Sequence, residues 1–219
     1  MRHTSIIFDL DGTLLDTLAG LVITGNEVLA RYGFPSHVSE KYRYFVGDGL
    51  KTLMERITPA GTGKYVLDEC CGLFSDLYAK NWKFSCVPYD GVPEMLATLR
   101  KNSFPLAVLS NKPHAFTSLI VEDFFPGGIF SLVYGQRDGF AKKPDPEVAL
   151  EIAARFGSRP SETVFVGDSG VDIRTGKAAG MMTVGVAWGF REREELMENK
   201  ADIIINSPME LLHHVAPLA

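Results

Sequence analysis

Thr4-Ser5-Ile6-Ile7-Phe8-Asp9-Leu10-Asp11-Gly12-Thr13-Leu14 is the stretch from which the fold can be read. Ile6, Ile7 and Phe8 follow one another without a polar break, as in strands buried on both faces of a parallel sheet. The run stops at Asp9 and Asp11, and Gly12-Thr13 turns the chain. Similar runs recur at Leu106-Ala107-Val108-Leu109, Leu132-Val133-Tyr134, Val164-Phe165-Val166, Val184-Gly185-Val186 and Ile203-Ile204-Ile205. Helical patterns separate them. Val92 to Lys101 carries Val92, Met95, Leu96 and Leu99 on one face, and about Pro146 to Phe156 carries Val148, Ile152, Ala153 and Phe156. Strand and helix in alternation predict an α/β domain with a doubly wound, mostly parallel sheet.

From about Leu15 to Cys86 the alternation stops, and no strand is expected there. Leu18, Leu21, Val22, Val28, Leu29 and Tyr32 fall at helical spacing until Gly33 and Pro35 end the helix. Ser39 to Val46 and Leu50 to Ile57 read as shorter helices, and Leu67, Cys70, Cys71, Phe74, Leu77 and Tyr78 form a further stripe. The expected organisation is a sheet domain from 1–14 and 87–219, with an all-α module at 15–86 inserted into it. No internal repeat or low-complexity tract calls for another architecture.

Composition narrows the class. The 219 residues suffice for one generous domain or for one carrying an insert. With 46% hydrophobic and 22% charged residues the chain is neither disordered nor a coiled-coil rod. A net charge of -5 argues against a nucleic-acid-binding surface. Three cysteines, of which Cys70 and Cys71 are adjacent, lack zinc-site spacing and read as reduced thiols. The five histidines are scattered, with no pair at helical metal spacing. No segment approaches the roughly 18 apolar residues of a membrane span, and the first strand leaves no room for a presequence. A cytoplasmic protein with no membrane or nucleic-acid partner is expected.

In open α/β sheets ligands bind beyond the carboxyl ends of the strands. There the sequence puts Asp9 and Asp11, then Ser110 and Asn111, then Lys142-Lys143-Pro144, then Gly167-Asp168-Ser169 and Asp172. Carboxylates gathered on one rim repel one another unless a cation joins them. Oxygen ligands without His or Cys favour a hard ion, and Mg²⁺ is the natural choice. Lys143 adds a positive charge, and Ser110 and Asn111 add neutral donors, which together make a socket for a phosphoryl group. Asp9 and Asp11, alternate residues of an extended segment, point the same way. One can attack phosphorus to form an aspartyl-phosphate while the other serves as acid and base. Spacing alone does not say which is which.

Plainer readings stand beside these. Asp11-Gly12 makes an ordinary turn, and Ser110-Asn111 an ordinary helix cap. Lys142 reads as structural, and Arg43, Lys51, Arg56 and Lys112 as solvated. Gly47 and Gly49 make a turn between helices or present backbone amides to an anion. His114 carries no assigned role, and Trp188-Gly189-Phe190 is expected to pack a loop over the rim.

Taken in order, Phe8-Asp9-Leu10-Asp11-Gly12-Thr13-Leu14, Ser110-Asn111, Lys143-Pro144 and Gly167-Asp168-Ser169-Gly170-Val171-Asp172 resemble the four motifs of the haloacid dehalogenase-like superfamily. The resemblance spans essentially the whole chain. It implies a Rossmann-like core with a small helical cap over the active site. It further implies Asp9 as nucleophile, Asp11 as general acid/base, and Mg²⁺ held by a carboxylate oxygen of Asp9, the backbone carbonyl of Asp11, and Asp168. Ser110 and Asn111 would bind phosphoryl oxygens and Lys143 would neutralise the phosphorylated intermediate. Asp172 would support the site by orienting Lys143 or a metal-bound water. An aspartate at position 11 is the mark of the phosphatase and phosphomutase branch. Val46-Gly47-Asp48-Gly49-Leu50, Val87-Pro88-Tyr89-Asp90-Gly91-Val92, Ser110-Asn111-Lys112-Pro113 and Gly176-Lys177-Ala178-Ala179-Gly180-Met181 resemble phosphoglycolate phosphatases and close relatives. The expected activity is Mg²⁺-dependent hydrolysis of a small phosphorylated metabolite, 2-phosphoglycolate first, by a monomer or homodimer. The alternatives are a phosphomutase of the β-phosphoglucomutase type, or a pyrophosphatase or sugar phosphatase on the same core. A binding module that has lost its chemistry is disfavoured, because Asp9, Asp11, Lys143 and Asp168 are all present.

Overall fold

The computed structural model describes residues 3–215. Residues 1, 2 and 216–219, assigned to the core from sequence, lie outside the described residues. In chain order the elements are β1 (Ser5–Phe8), β2 (Leu15–Asp16), α1 (Leu18–Arg31), α2 (Ser39–Phe45), α3 (Leu50–Ile57), α4 (Lys64–Asn81) and β3 (Val87–Pro88). Then come α5 (Val92–Lys101), β4 (Leu106–Pro113), α6 (His114–Phe124), β5 (Leu132–Gln136), α7 (Glu147–Arg155) and β6 (Thr163–Gly167). The chain continues with α8 (Gly170–Ala178), β7 (Met182–Val186), α9 (Arg193–Glu198) and β8 (Ile203–Ile205).

Six strands form one sheet in the order β5-β4-β1-β6-β7-β8, all pairs parallel. β1 lies at its centre, with Ile6 beside Leu106 on one side and Val164 on the other. From β1 the chain winds outward through β4 and β5, then crosses back to β6 and winds the other way. That reversal opens a crevice at the carboxyl end of the central strands. The side-chain alternation of strands sorts the two faces. Ile6, Phe8, Val108, Val164 and Val166 pack with Val92, Met95, Leu96 and Leu99 of α5. Ile7, Ala107, Leu109 and Phe165 pack with Val148, Ala149, Ile152 and Ala153 of α7. Uninterrupted apolar strands are therefore needed, since both faces are covered, and the doubly wound Rossmann-like expectation holds.

Helices α1 to α4 lie between β2 and β3. These short strands pair antiparallel, Leu15 with Pro88 and Asp16 with Val87, so the helical insert leaves and rejoins the core through a two-stranded neck. The sequence reading placed no strand between Leu15 and Cys86; β2 corrects it. Two residues are too few to show a period, and only the pairing across the neck makes them a strand. Inside the insert, Leu21, Val28 and Leu29 of α1 share a core with Phe74, Leu77 and Tyr78 of α4, and Tyr42, Met54 and Ile57 are fully buried. Cys70 and Cys86 are buried free thiols and Cys71 is half-buried. No helix of the described residues is long and apolar enough to cross a membrane.

A second correction concerns β4. Its hydrophobic run ends at Leu109, yet the strand continues to Pro113, with a break in register against β5 between those residues. Ser110, Asn111 and Lys112 look like a strand end because they are polar, but all three are buried.

Candidate active site

The first loop follows from its hydrogen bonds. Asp9 N–H donates to Val166 O at 2.9 Å, which carries the β1–β6 ladder one residue past the strand. The N–H groups of Thr13, Leu14 and Leu15 all converge on Leu10 O, at 3.3, 3.0 and 3.1 Å. The carbonyl of Asp11 accepts none of these turn bonds. Gly12 sits at φ +84°, and a Cβ there would lie 2.4 Å from Asp168 Oδ2, so only glycine allows this approach.

Lys143 Nζ, in a side chain only 3% exposed, lies 2.8 Å from Asp9 Oδ1 and 2.7 Å from Asp172 Oδ1. Among the described residues this shared ammonium is the one close cationic neighbour of Asp9 Oδ1, and no donor of another residue reaches that oxygen. Asp172 differs. Its Oδ2 accepts from Ser169 N–H at 3.1 Å and from Ser169 Oγ–H at 2.6 Å, so both of its oxygens are committed. Asp168 accepts from Thr13 Oγ1 at 3.2 Å and from Phe190 N–H at 2.8 Å. Oxygens of Asp9, Asp168 and Asp172 lie within 4.8 Å of one another.

The electrostatics follow. Burial, with Asp172 and Asp168 close by, pushes Asp9 up to about 8 against the pull of Lys143. Burial and Asp172 push Asp168 up to about 7. Burial alone would pull Lys143 down, but Asp172 and Asp9 outweigh it and raise it above the usual lysine range. The pocket thus lacks positive charge at Asp9 and Asp168. A hard divalent cation fits this donor set: two buried carboxylates that do not hold their charge easily, a backbone carbonyl, and no His or Cys.

Asn111 proves to be a strut. Its Nδ2 donates to Gly47 O and Lys143 O, both at 3.0 Å, and its Oδ1 accepts from Lys143 N–H at 2.8 Å. Both side-chain amide hydrogens are used inside the protein, in support of Lys143 and of the insert's 46–49 loop. Ser110 Oγ accepts from Lys112 N–H at 3.2 Å and keeps its own hydrogen for a ligand.

Lys112, expected in solvent, is buried. Its Nζ donates to Asp11 Oδ1 at 2.6 Å and to Tyr78 Oη at 2.9 Å. Nothing in its local sequence marks this burial, because its partners lie in the first loop and on α4. Arg43, also expected in solvent, donates to Gly189 O at 2.7 Å and Phe190 O at 3.0 Å. Arg56 donates to Tyr44 O and Phe45 O and pairs with Asp48. Arg191, missed in the sequence, donates to Val46 O at 2.9 Å, and Lys142 donates to Asp48 O at 2.6 Å and Thr52 Oγ1 at 3.0 Å. Side chains of the core thereby hold successive carbonyls of the 46–49 loop over the rim. Trp188 Nε1 donates to Thr13 O at 3.1 Å, which fixes the 188–190 loop at the rim as expected. His114 Nδ1 accepts from Gly135 N–H at 3.2 Å, a structural bond. The cavity left between insert and core has Asp9, Ser110 and Asp168 on its core side and Leu50, Leu53 and Phe74 on the insert side.

Comparison with known proteins agrees with this geometry. The model of a family described as haloacid dehalogenase-like hydrolase matches residues 6–186. A phosphoglycolate phosphatase of Pseudomonas putida is 31% identical over 212 residues, covering 94% of this chain and 78% of that protein. One from Salmonella typhimurium is 31% identical over 227 residues, covering 94% and 90%. Among solved structures, a candidate phosphoglycolate phosphatase from Lactobacillus delbrueckii subsp. bulgaricus superposes with a TM-score of 0.92 at 27% identity, over 100% of both chains.

Proposed function

The chain belongs to the haloacid dehalogenase-like hydrolases, and from that premise we propose that it is a Mg²⁺-dependent phosphatase acting on a small phosphomonoester, 2-phosphoglycolate, through an aspartyl-phosphate at Asp9. The observation that carries this reading is the buried Asp9–Lys143–Asp172 chain beside Asp168, at the sheet's crossover and under the insert. Asp9, Asp168 and the carbonyl of Asp11 would hold Mg²⁺. When bound, the ion supplies positive charge for the phosphoryl oxygens and keeps the nucleophile ionised.

The remaining work falls to the chain itself. A carboxylate oxygen of Asp9 attacks phosphorus in line, the P–O bond to the leaving group breaks, and Asp11 gives that oxygen a proton. Lys143 and the Ser110 hydroxyl stabilise charge on the phosphoryl oxygens. Asp11 then takes a proton from a water that attacks phosphorus, which releases phosphate and restores Asp9. Asp172 and Asn111 position Lys143, and the insert excludes bulk water while Asp9 reacts.

Two features favour a small acid ester over a sugar phosphate. The insert side of the cavity is mainly apolar and offers few donors for sugar hydroxyls. Arg191 lines the same cavity; its Nε pairs with Glu195 at 3.3 Å and its Nη2 holds Val46 O, but its Nη1 has no partner among the described residues and is the donor offered to a substrate carboxylate. The test is phosphate release from 2-phosphoglycolate, pyrophosphate, sugar phosphates and an aryl phosphate, each with Mg²⁺, with chelator and with Asp9→Asn. Turnover that needs Mg²⁺, is lost in the variant and is best on 2-phosphoglycolate is expected. Full activity in chelator, or in Asp9→Asn, would overturn the mechanism; a sugar phosphate ranked first would overturn the substrate.

A further inference from the structure

Each aspartate of the first motif has its own buried lysine. Asp9 faces Lys143 at 2.8 Å, and Asp11 faces Lys112 at 2.6 Å. The second pair has no place in the chemistry described so far. Lys112 stands on β4 two residues beyond Ser110, with its side chain 5% exposed. A buried ammonium costs several kcal/mol unless paired, and an apolar residue would fill the same space without that cost. Packing alone therefore does not call for a lysine here.

The geometry around Asp11 suggests what the lysine does. Oδ1 of Asp11 is gripped twice, by Lys112 Nζ at 2.6 Å and by Thr17 Oγ1 at 2.7 Å. Oδ2 accepts no hydrogen bond from the described residues. A carboxyl held at one oxygen by donors from two directions has little torsional freedom, and its other oxygen is left for the reacting groups. Proton transfer to a leaving oxygen needs such placement, because the acid must stand within hydrogen-bond reach in the transition state.

Lys112 is itself held from the insert. Tyr78 Oη accepts from its Nζ at 2.9 Å, and the Tyr78 ring lies 5.0 Å from the ammonium. Tyr78 belongs to α4 and is stacked on Phe74 at 5.5 Å and set edge-on to Phe116 at 5.1 Å. So the chain of contacts runs from the insert, through Lys112, to Asp11, and ends at Thr17 beside the neck.

We infer that Lys112 is a positioning residue for Asp11, and that Tyr78 makes this positioning depend on the seating of the helical insert. The inference rests on the reading of Asp11 as general acid/base. In the acid step the bond from phosphorus to the leaving oxygen breaks as the Asp11 proton moves to that oxygen; Lys112 keeps its own protons throughout.

Leaving-group dependence tests this in the full-length protein with Mg²⁺. kcat/KM reports steps through cleavage of the ester bond. An alkyl phosphate needs a proton at its leaving oxygen, whereas a nitrophenyl phosphate, whose leaving group is a stable anion, hardly does. Lys112→Met should lose on the order of 10²-fold in kcat/KM on the alkyl ester and under about tenfold on the nitrophenyl ester. Tyr78→Phe keeps the ring and the fold, and should show a smaller loss with the same skew. Equal losses on both esters would mean a merely structural role and overturn the inference, as would Tyr78→Phe matching wild type on both. If Lys112→Met does not fold, Tyr78→Phe decides. Activity surviving Asp9→Asn would instead sink the phosphatase mechanism, so the two failures are distinguishable.

Discussion

Replacing Asp9 by Asn should abolish turnover and, without metal, make the protein increasingly more stable than wild type as pH rises. Burial and the charges of Asp172 and Asp168 push the folded-state value of Asp9 up to about 8, from an ordinary 3.8. Between these values the unfolded chain has released the proton and the native protein still holds it. Native stability is therefore highest below the unfolded value and falls as pH climbs toward the folded one, by about 1.4 kcal/mol per pH unit. Asparagine has no proton to release. From pH 5 to pH 7, two units, wild type should lose about 3 kcal/mol relative to the variant. Lys143 keeps Asp172 at 2.7 Å in both proteins, so losing the Asp9 contact sets an offset rather than a slope. The assay is urea unfolding of both proteins in chelator at pH 5, 6 and 7, with the difference in unfolding free energy plotted against pH. Saturating Mg²⁺ should cancel most of the difference, since a ligand at a hundredfold its Kd adds about 2.7 kcal/mol to the native state that binds it. A difference that stays flat with pH in chelator would refute the reasoning, because Asp9 would then be ionised in the metal-free fold.

Metal binding should release protons at pH 6.5, where Asp9 and Asp168 lie below their values of about 8 and about 7; calorimetric titrations with Mg²⁺ in buffers of different ionisation enthalpy would count them, and a count of zero would contradict the charge deficit. Gly189→Ala would place a Cβ 2.2 Å from Asp168 Cβ and 2.5 Å from Gly12 O, a clash that no rotamer relieves. It should cost about 1–3 kcal/mol in thermal unfolding and blunt the response to Mg²⁺. Gly72→Ala, within α4 and with nothing within 4 Å, should instead stabilise by about 0.5–1 kcal/mol. Arg191→Ala frees the Val46 carbonyl for every substrate, and should raise KM for 2-phosphoglycolate about tenfold more than KM for an aryl phosphate without a carboxylate, as expected for one lost charged contact of roughly 1.5 kcal/mol.

Most of the sheet was legible because the strands are buried on both faces, so each writes an unbroken apolar run such as Ile6-Ile7-Phe8. The insert was legible for the complementary reason: one-sided burial leaves stripes like Phe74, Leu77 and Tyr78. What escaped depends on partners far away in sequence. Leu15–Asp16 is a strand only because Val87–Pro88 lies beside it. Arg43 and Arg191 carry charges that suit solvent, yet their hydrogen bonds reach 147 and 145 residues along the chain. Asn111 was recognisable as a site residue from its motif, but its hydrogen bonds to Gly47 and Lys143, and hence its work as a strut, required the fold. Lys112 escaped for the same reason, since Asp11 lies 101 residues and Tyr78 34 residues away along the chain.

The distribution of lysines gives the site its character. Four carboxylates, Asp9, Asp11, Asp168 and Asp172, share two ammonium groups. Asp11 has Lys112 to itself. Asp172 has both oxygens engaged, one by Lys143 and the other by Ser169, whereas Asp9 has only a share of the same lysine. Asp9 and Asp168 are therefore the carboxylates without a full partner, and they are the two pushed toward neutrality. On the proposed mechanism Asp9 must be ionised to attack, and the bare fold favours its protonated form near neutral pH. A third lysine would restore the charge, but it would also occupy the space of the phosphoryl group and leave the fold independent of metal. A removable divalent ion supplies the charge and still accepts substrate oxygens as ligands. On the proposed mechanism, the burial that destabilises the metal-free protein is thus the same burial that would tie attack by Asp9 to the presence of the ion.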